Sequence, residues 1–157
     1  ADRRQRQMCI RDRHIPTTIA RLSVPYGDNG GWMYFHMLMM QQGMPIEVHP
    51  DGPNYYNPLH ADDYIEKIPY LLGAASDEVT TLNFGGSEKV SIEEWCAYIG
   101  ELTGFEPKFS ENPRAFGSLA IDTTRMEALI GTTAVGWREG IRRQLQNLAP
   151  EVLRKAE

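Results

Sequence analysis

Cysteine and long apolar runs are both scarce in this chain of 157 residues. The two cysteines, Cys9 and Cys96, cannot form a disulfide framework, and no Cys-x-x-Cys is present. The longest mostly apolar stretch, Trp32 to Met40, is interrupted by His36 and is too short to cross a bilayer. No secretory signal pattern is present. We therefore expect a reduced, cytoplasmic protein with no membrane partner.

The net charge of −5 is unevenly distributed along the chain. The first fourteen residues sum to +3 and the remainder to −8, and this acidic remainder argues against nucleic acid as the main partner. The arginine-rich run over residues 3–13 resembles translated sequencing-adaptor read-through. We therefore interpret residues 1–13 as a non-native segment. The alternative is a native interaction arm on a small α/β module that stands alone.

Strand-like and helix-like segments alternate from residue 15 onward, which predicts an α/β domain with some parallel pairing. The first strand is nearly continuously apolar, as in an inner strand of a larger sheet. The first helix is apolar on nearly all sides, so we expect it to be largely buried. The predicted strands or extended segments are 17–24, 46–49, 54–59, 79–84, 107–109 and 118–121, and the predicted helices are 32–42, 61 onward, 92–104, 122–131 and 137–148.

Three local signals refine these helices. Ser91-x-x-Glu94 is a capping box that begins a helix. Pro69 is expected to kink or split the helix that begins at Ala61. Asp62 and Asp63 do not face each other on a helix, so we interpret them as capping and dipole-stabilising residues rather than a catalytic pair.

Short motifs rich in glycine, proline and charged residues follow one another between residues 15 and 145. They are Arg21-x-x-x-Pro25-Tyr26-Gly27, Gly43-x-Pro45-Ile46, Asp51-Gly52, His60-x-Asp62-Asp63, Asn83-x-Gly85-Gly86, Ser91-Ile92-x-Glu94, Asp122-x-x-Arg125 and Gly136-Trp137-Arg138-Glu139-Gly140-Ile141. In this order and spacing they resemble the C-terminal half of an extended short-chain dehydrogenase/reductase, the NAD-dependent epimerase/dehydratase family. The resemblance implies part of a Rossmann-like doubly wound sheet plus a small substrate-binding lobe over residues 14–149, with residues 150–157 as a tail.

Two signatures of that family are missing from this sequence. No glycine-rich dinucleotide turn is present, and no tyrosine has a lysine four positions later, since Tyr64-x-x-Lys67 has the wrong spacing. We therefore assign no catalytic residue. The resemblance implies that the chain is the substrate-binding half of a parent NAD- or NADP-dependent epimerase, dehydratase or reductase. This parent enzyme would be a dimer and would act on a hydroxyl or keto group of a sugar-like or other small metabolite. The alternative is a non-catalytic domain that senses a dinucleotide or a metabolite.

The resemblance also implies site residues. Family members that act on nucleotide sugars carry asparagine at the position of Val24 and arginine at the position of Tyr56, and both residues bind phosphate. Valine cannot donate a hydrogen bond and tyrosine carries no positive charge, so neither residue can replace them. This difference disfavours a UDP- or dTDP-sugar substrate. Arg114 could still hold an anionic substrate. The implied cofactor contacts are Leu22, Ser23 and Pro25, and the implied substrate contacts are Val24, Tyr26, Trp32, Tyr56, Asn57 and Arg114.

The histidines give no sign of a metal site. His36, His49 and His60 are separated by thirteen and eleven residues, which matches no compact ligand motif. We interpret them as ordinary core or surface histidines and predict no metal ligand.

Overall fold

The computed structural model describes residues 15–154, so the predicted non-native segment 1–13 lies outside the described residues. Strands and helices alternate along this part of the chain. The strands are β1 (Thr18–Leu22), β2 (Val24–Tyr26), β3 (Ile46–Val48), β4 (Tyr55–Tyr56), β5 (Pro58–His60), β6 (Thr80–Phe84), β7 (Val90–Ser91) and β8 (Phe109–Glu111). The helices are α1 (Trp32–Gln41), α2 (Ala61–Gly73), α3 (Ile92–Thr103), α4 (Thr124–Ile130) and α5 (Trp137–Leu148), followed by a 3-10 turn (Pro150–Val152).

Parallel pairing dominates the strands. β1 pairs with β6, β2 with β5 and β3 with β8, all in parallel, whereas β4 and β7 are antiparallel. The predicted strand 17–24 is divided at Ser23, whose backbone N–H donates to the Phe84 carbonyl at 2.8 Å before the chain continues into β2. The α/β class with parallel pairing is therefore confirmed, and each parallel connection contains a helix, as such crossovers require.

Two apolar clusters stabilise the fold. The larger cluster lies between α1, α3 and α5, where Met37, Trp95 and Ile141 are fully buried. The smaller cluster joins β5, β6 and α4 through residues such as Leu59 and Phe84. No helix within residues 15–154 is long and apolar enough to cross a membrane.

Sequence signals for helix ends are confirmed where they are local. Ser91 Oγ accepts from the Glu94 N–H at 3.1 Å while the Glu94 carboxylate accepts from the Ser91 N–H at 2.8 Å, which completes the predicted capping box. The same helix ends at Gly104, whose φ of 84° lies in the left-handed region that glycine tolerates. Gly43, with φ of 66°, follows the end of α1.

Two expectations are corrected. Residues 118–121 form no strand, because Ile121 N–H donates to the side chain of Asn57 rather than to a backbone ladder. Helix α2 is not split at Pro69; the preceding turn contains exposed Ile65, so carbonyl groups that lose their partner there can bond water.

Two other segments are described more closely by the structure. Helix α1 is largely buried, as expected, although Phe35 is 62% exposed. After the 3-10 turn, the Arg154 N–H donates to the Leu102 carbonyl.

The acidic pair at the start of α2 is also corrected. The side chain that caps α2 is His60, whose Nδ1 accepts from the Asp62 N–H at 3.2 Å. Asp63 is 2% exposed and accepts from the backbone N–H groups of Ala134 and Val135 at 2.7 and 3.0 Å, so it holds the segment before α5. Asp62 is exposed and pairs with Arg143.

This difference predicts opposite sensitivities for two adjacent carboxylates. We expect Asp63→Ala to lower the free energy of unfolding by about 3 kcal/mol, because two backbone N–H groups lose a buried, charged acceptor. The matched control, Asp62→Ala, removes an exposed ion pair and should change stability little. Urea denaturation measures both variants, and equal losses would contradict the assignment of Asp63.

Candidate functional site

A cleft opens where strand β1 ends. Leu22, Ser23 and Val24 form its floor, Trp32 and Tyr56 lie beside them, and the loop over residues 116–121 closes the opposite side. This part of the cleft has a volume of about 490 Å³. The structure thus brings together five of the residues that the sequence pattern selected from three separate segments.

The cleft continues along helix α1. A second compartment of about 540 Å³ shares Trp32, Tyr56 and Phe116 with the first, so the two compartments form one continuous surface. Its additional lining residues come from α1, β3, α3 and the loop after β8: Phe35, His36, Met39, Glu47, Ile92, Arg114 and Ala115. Arg114 therefore lines the cleft.

Tyr56 fixes the wall of the cleft. It is 1% exposed, and its hydroxyl shares a proton between the carbonyl oxygens of Phe116 and Gly117 at 3.1 and 3.0 Å. Burial and the nearby Glu93 carboxylate raise the pKa of the Tyr56 hydroxyl, so it stays protonated and remains a donor. Its ring packs edge-on against Trp32 with centroids 5.2 Å apart. Tyr56 therefore shapes the cleft by holding its loop.

Further hydrogen bonds hold the same loop. The Leu119 N–H donates to the Tyr55 carbonyl at 2.9 Å, and Ser118 Oγ accepts from the Tyr55 N–H at 3.1 Å. Asn57 lies behind the wall, only 3% exposed, where its amide oxygen accepts from the Ile121 N–H at 2.9 Å. Its amide nitrogen donates to the Gly86 carbonyl at 3.1 Å. The structure thus gives Asn57 a supporting position and does not place it on the cleft surface.

Tyr26 and Pro25 lie on the other side of the strand end. They line a separate depression of about 350 Å³ that shares only Leu22 with the cleft. Tyr26 is 2% exposed and packs edge-on against His60. Its hydroxyl lies against Gly140 of α5. A Cβ added at Gly140 would be 2.0 Å from the hydroxyl oxygen, so glycine is required where α5 packs against Tyr26. The structure therefore separates Pro25 and Tyr26 from the five predicted contacts that line the first compartment of the cleft.

His36 is a cleft residue that the sequence pattern did not select. Its Nδ1 accepts from the indole Nε1–H of Trp95 at 2.9 Å, and the two rings stack with centroids 5.7 Å apart. Burial lowers the pKa of His36 to about 4, so the ring is neutral near pH 7. Because Nδ1 is the acceptor, the neutral ring carries its proton on Nε2. What distinguishes His36 is its hydrogen bond to a residue 59 positions away, and the local spacing of residues in the sequence does not reveal such a contact.

The charges of the cleft balance. Arg114 and Glu47 are both exposed, and the Glu47 carboxylate accepts from the Asn112 amide at 3.0 Å. The remaining lining side chains are neutral near pH 7. Within residues 15–154 no cluster of three or more His, Cys, Asp or Glu residues could hold a metal ion.

Solved structures with similar folds place this geometry in context. A UDP-glucose 4-epimerase from Thermotoga maritima, with UDP-glucose, is similar with a TM-score of 0.73 at 17% identity, over 94% of this chain and 50% of that one. A UDP-glucuronic acid 4-epimerase from Bacillus cereus, in complex with UDP-glucuronic acid and NAD, gives 0.71 at 18% identity, over 88% and 46%. A dTDP-glucose 4,6-dehydratase from Bacillus anthracis, in complex with NAD, gives 0.72 at 18% identity, over 89% and 48%.

This likeness shows the fold. The described chain has the fold of about half of each of these epimerases and of this dehydratase, which confirms the Rossmann-like fold expected from the motif order. It spans about half the length of the solved structures that it matches. No protein-family model matches the sequence, and no curated protein matches it.

The role of Tyr56 is testable against its neighbour. We expect Tyr56→Phe to lower the free energy of unfolding by about 1 kcal/mol and to speed amide exchange at Leu119, because the loop loses the hydroxyl that holds it. The matched control is Tyr55→Phe, since the Tyr55 hydroxyl makes no hydrogen bond to residues 15–154. Unchanged exchange in Tyr56→Phe would contradict this role.

The lowered pKa of His36 predicts a pH dependence. Between pH 6.5 and about 4, the unfolded chain binds a proton that folded His36 does not, so stability from this residue is present above pH 6.5 and falls as pH falls. The slope from His36 is at most about 1.4 kcal/mol per pH unit. His36→Gln should flatten the pH profile of the free energy of unfolding in this window, and parallel profiles would contradict the prediction.

Proposed function

We propose that this chain supplies the substrate-binding half of an NAD- or NADP-dependent enzyme. The parent enzyme would act on a hydroxyl or keto group of a small metabolite by epimerisation, dehydration or simple redox chemistry. In this proposal a segment outside the chain provides the pyrophosphate site and the tyrosine–lysine pair, and the parent is a cytoplasmic dimer.

The observation that supports this proposal most strongly is the position of the cleft. It begins at the carboxyl end of β1, which pairs in parallel with β6, and ligands of open α/β sheets bind outside the carboxyl ends of strands. Two of its residues, Leu22 and Ser23, are among the three that the family resemblance implied for the cofactor, and Val24 beside them was implied as a substrate contact. Two of the solved structures with this fold are described as complexes with NAD.

The side chains at the strand ends fit a nicotinamide ring. Leu22 and Val24 offer apolar surface to a flat ring, and the compartment of about 490 Å³ has room for it. The backbone N–H of Ser23 is already bonded to Phe84, but its hydroxyl lines the cleft and makes no hydrogen bond to residues 15–154, so it is free to bond a carboxamide. When bound, the nicotinamide would accept or donate the hydride.

This chain's own residues would bind and orient the substrate. Trp32 and Phe116 line both compartments, and Tyr56 holds the loop that carries Phe116. Such positioning supports catalysis, because a substrate fixed near the reacting atom loses little further freedom in the transition state.

A non-catalytic sensing domain is the alternative, because the 157 residues contain no Tyr-x-x-x-Lys. The upstream gene sequence distinguishes the two functions. An enzyme requires a glycine-rich turn and a Tyr-x-x-x-Lys upstream of residue 14, whereas a sensing domain would retain the turn and replace the tyrosine or lysine.

The full-length protein encoded by the native gene provides the functional test. We expect it to convert members of a panel of small hydroxyl and keto compounds. Nicotinamide absorbance follows simple redox chemistry, and product analysis follows epimerisation and dehydration, which return the nicotinamide to its starting oxidation state. Trp32→Leu should raise KM about tenfold, because apolar contact with the substrate is reduced. Leu72→Ala, at a 72% exposed position on α2, is the control and should leave KM unchanged. If the full-length protein contains both the glycine-rich turn and the Tyr-x-x-x-Lys but converts none of these compounds, the enzyme proposal is contradicted.

A further inference from the structure

We infer that the substrate of this cleft carries at most one negative charge, has an apolar or aromatic body, and presents an acceptor oxygen to the Nε2–H of His36. This inference rests on the proposed function, and it names the substrate class of the same site. It excludes substrates that carry a diphosphate; the dinucleotide cofactor is not affected, because the proposed function assigns its pyrophosphate site to a segment outside this chain.

The first argument is charge. Diphosphate groups carry several negative charges and are bound in proteins by arginine, lysine and backbone N–H groups. The cleft offers one cation, Arg114, and one anion, Glu47, so its side chains have no net charge with which to balance a diphosphate. The amino end of α1, at Trp32, adds only the partial charge of a helix dipole. A neutral or singly charged ligand matches these groups.

The second argument is the use of Tyr56. Its hydroxyl proton is shared between the Phe116 and Gly117 carbonyls, so it is not available to donate to a phosphate. The ring is 1% exposed and forms part of the aromatic wall with Trp32. At this position the chain therefore has a buried anchor for its loop, and no cationic group.

The third argument is the donor at His36. Trp95 is fully buried, and its indole N–H fixes the imidazole with Nδ1 as acceptor and Nε2 as donor. The Nε2 atom makes no hydrogen bond to residues 15–154, and it is not among their buried unpartnered polar atoms, so it reaches accessible space. His36 is a lining residue of the cleft, so we assign this accessible space to the cleft. A neutral N–H donor suits a carbonyl or hydroxyl oxygen.

The fourth argument is the apolar surface around this donor. Trp32, Phe35, Met39 and Phe116 surround the same compartment, and Phe35 and Phe116 are 62% and 68% exposed. Apolar residues with this much exposure on one concave surface are typical of a ligand site. They favour a ligand with an apolar or aromatic body around the polar group that bonds His36.

Two probes of opposite character, one neutral and one carrying a diphosphate, test the charge preference in the 157-residue chain. Acetophenone is a neutral aryl ketone, and UDP is a diphosphate. With methionine methyl groups labelled for NMR, acetophenone should shift the Met39 signal saturably and leave Met126, which is buried in the smaller cluster, unchanged. UDP at the same concentration should leave Met39 unchanged. Saturable binding of UDP at Met39, or binding of neither probe, would overturn the inference.

The His36 contact is tested by a second pair of probes. Ethylbenzene has the shape of acetophenone without its acceptor oxygen. His36→Phe should weaken acetophenone binding about fivefold and leave ethylbenzene binding unchanged, because only the ketone loses a hydrogen bond. His36→Gln retains an N–H donor and should keep the preference for the ketone. Equal losses for both probes in His36→Phe would overturn the contact.

These results separate the inference from the proposed function. UDP binding in the cleft would overturn the inference while leaving an NAD-dependent enzyme in place. Acetophenone binding without hydride transfer in the full-length protein would support the substrate class and contradict the enzyme.

Discussion

The segment from Asn54 to His60 is the constraint on which the cleft depends. Apart from Tyr55 it is buried, so its polar groups must find partners within the protein. The Asn54 amide donates to Glu93 at 2.9 Å and to the His49 carbonyl at 3.2 Å, which joins the segment to α3 and to the turn after β3. Its backbone pairs with both β7 and β2. The hydrogen bonds that the polar groups of this buried segment require therefore fix the positions of the elements that surround the cleft.

The loop over residues 116–121 depends on the same segment. Tyr55, Tyr56 and Asn57 each bond a different part of this loop, although none of its residues forms a strand. A close approach also constrains the other side, where a Cβ on Gly86 would lie 2.0 Å from the Pro58 carbonyl oxygen. The loop therefore needs no regular secondary structure, because its position is set by the buried side chains beneath it.

This arrangement links packing to specificity. Tyrosine carries no positive charge, and the Tyr56 hydroxyl already donates to the loop. The residue that stabilises the wall therefore offers a phosphate neither a cation nor a free donor. The Trp95 indole acts similarly on His36: a core hydrogen bond sets which imidazole nitrogen is exposed to a ligand. Buried contacts thus define the chemistry that the surface presents.

The sequence predicted what local physical chemistry decides. The capping box at Ser91, the end of α1 before Gly43 and the α/β order all follow from neighbouring residues, and the motif order indicated the fold. The Tyr56 bond to Phe116 and the Trp95 bond to His36 span 60 and 59 positions, so spacing could not reveal them. For the same reason the sequence predicts only a capping or dipole-stabilising role for Asp63. The two N–H groups that donate to its carboxylate lie 71 and 72 positions away.

The central claim is that the strand ends at Leu22 and Val24 face the nicotinamide ring of a bound dinucleotide. The most direct measurement is an NMR experiment on the full-length protein with NAD⁺ and labelled methyl groups. The account predicts nuclear Overhauser effects between the nicotinamide ring protons and the methyl groups of Leu22 and Val24, with none to Leu72 on the exposed part of α2. Bound NAD⁺ without these effects, or no binding of NAD⁺ or NADP⁺, would contradict it.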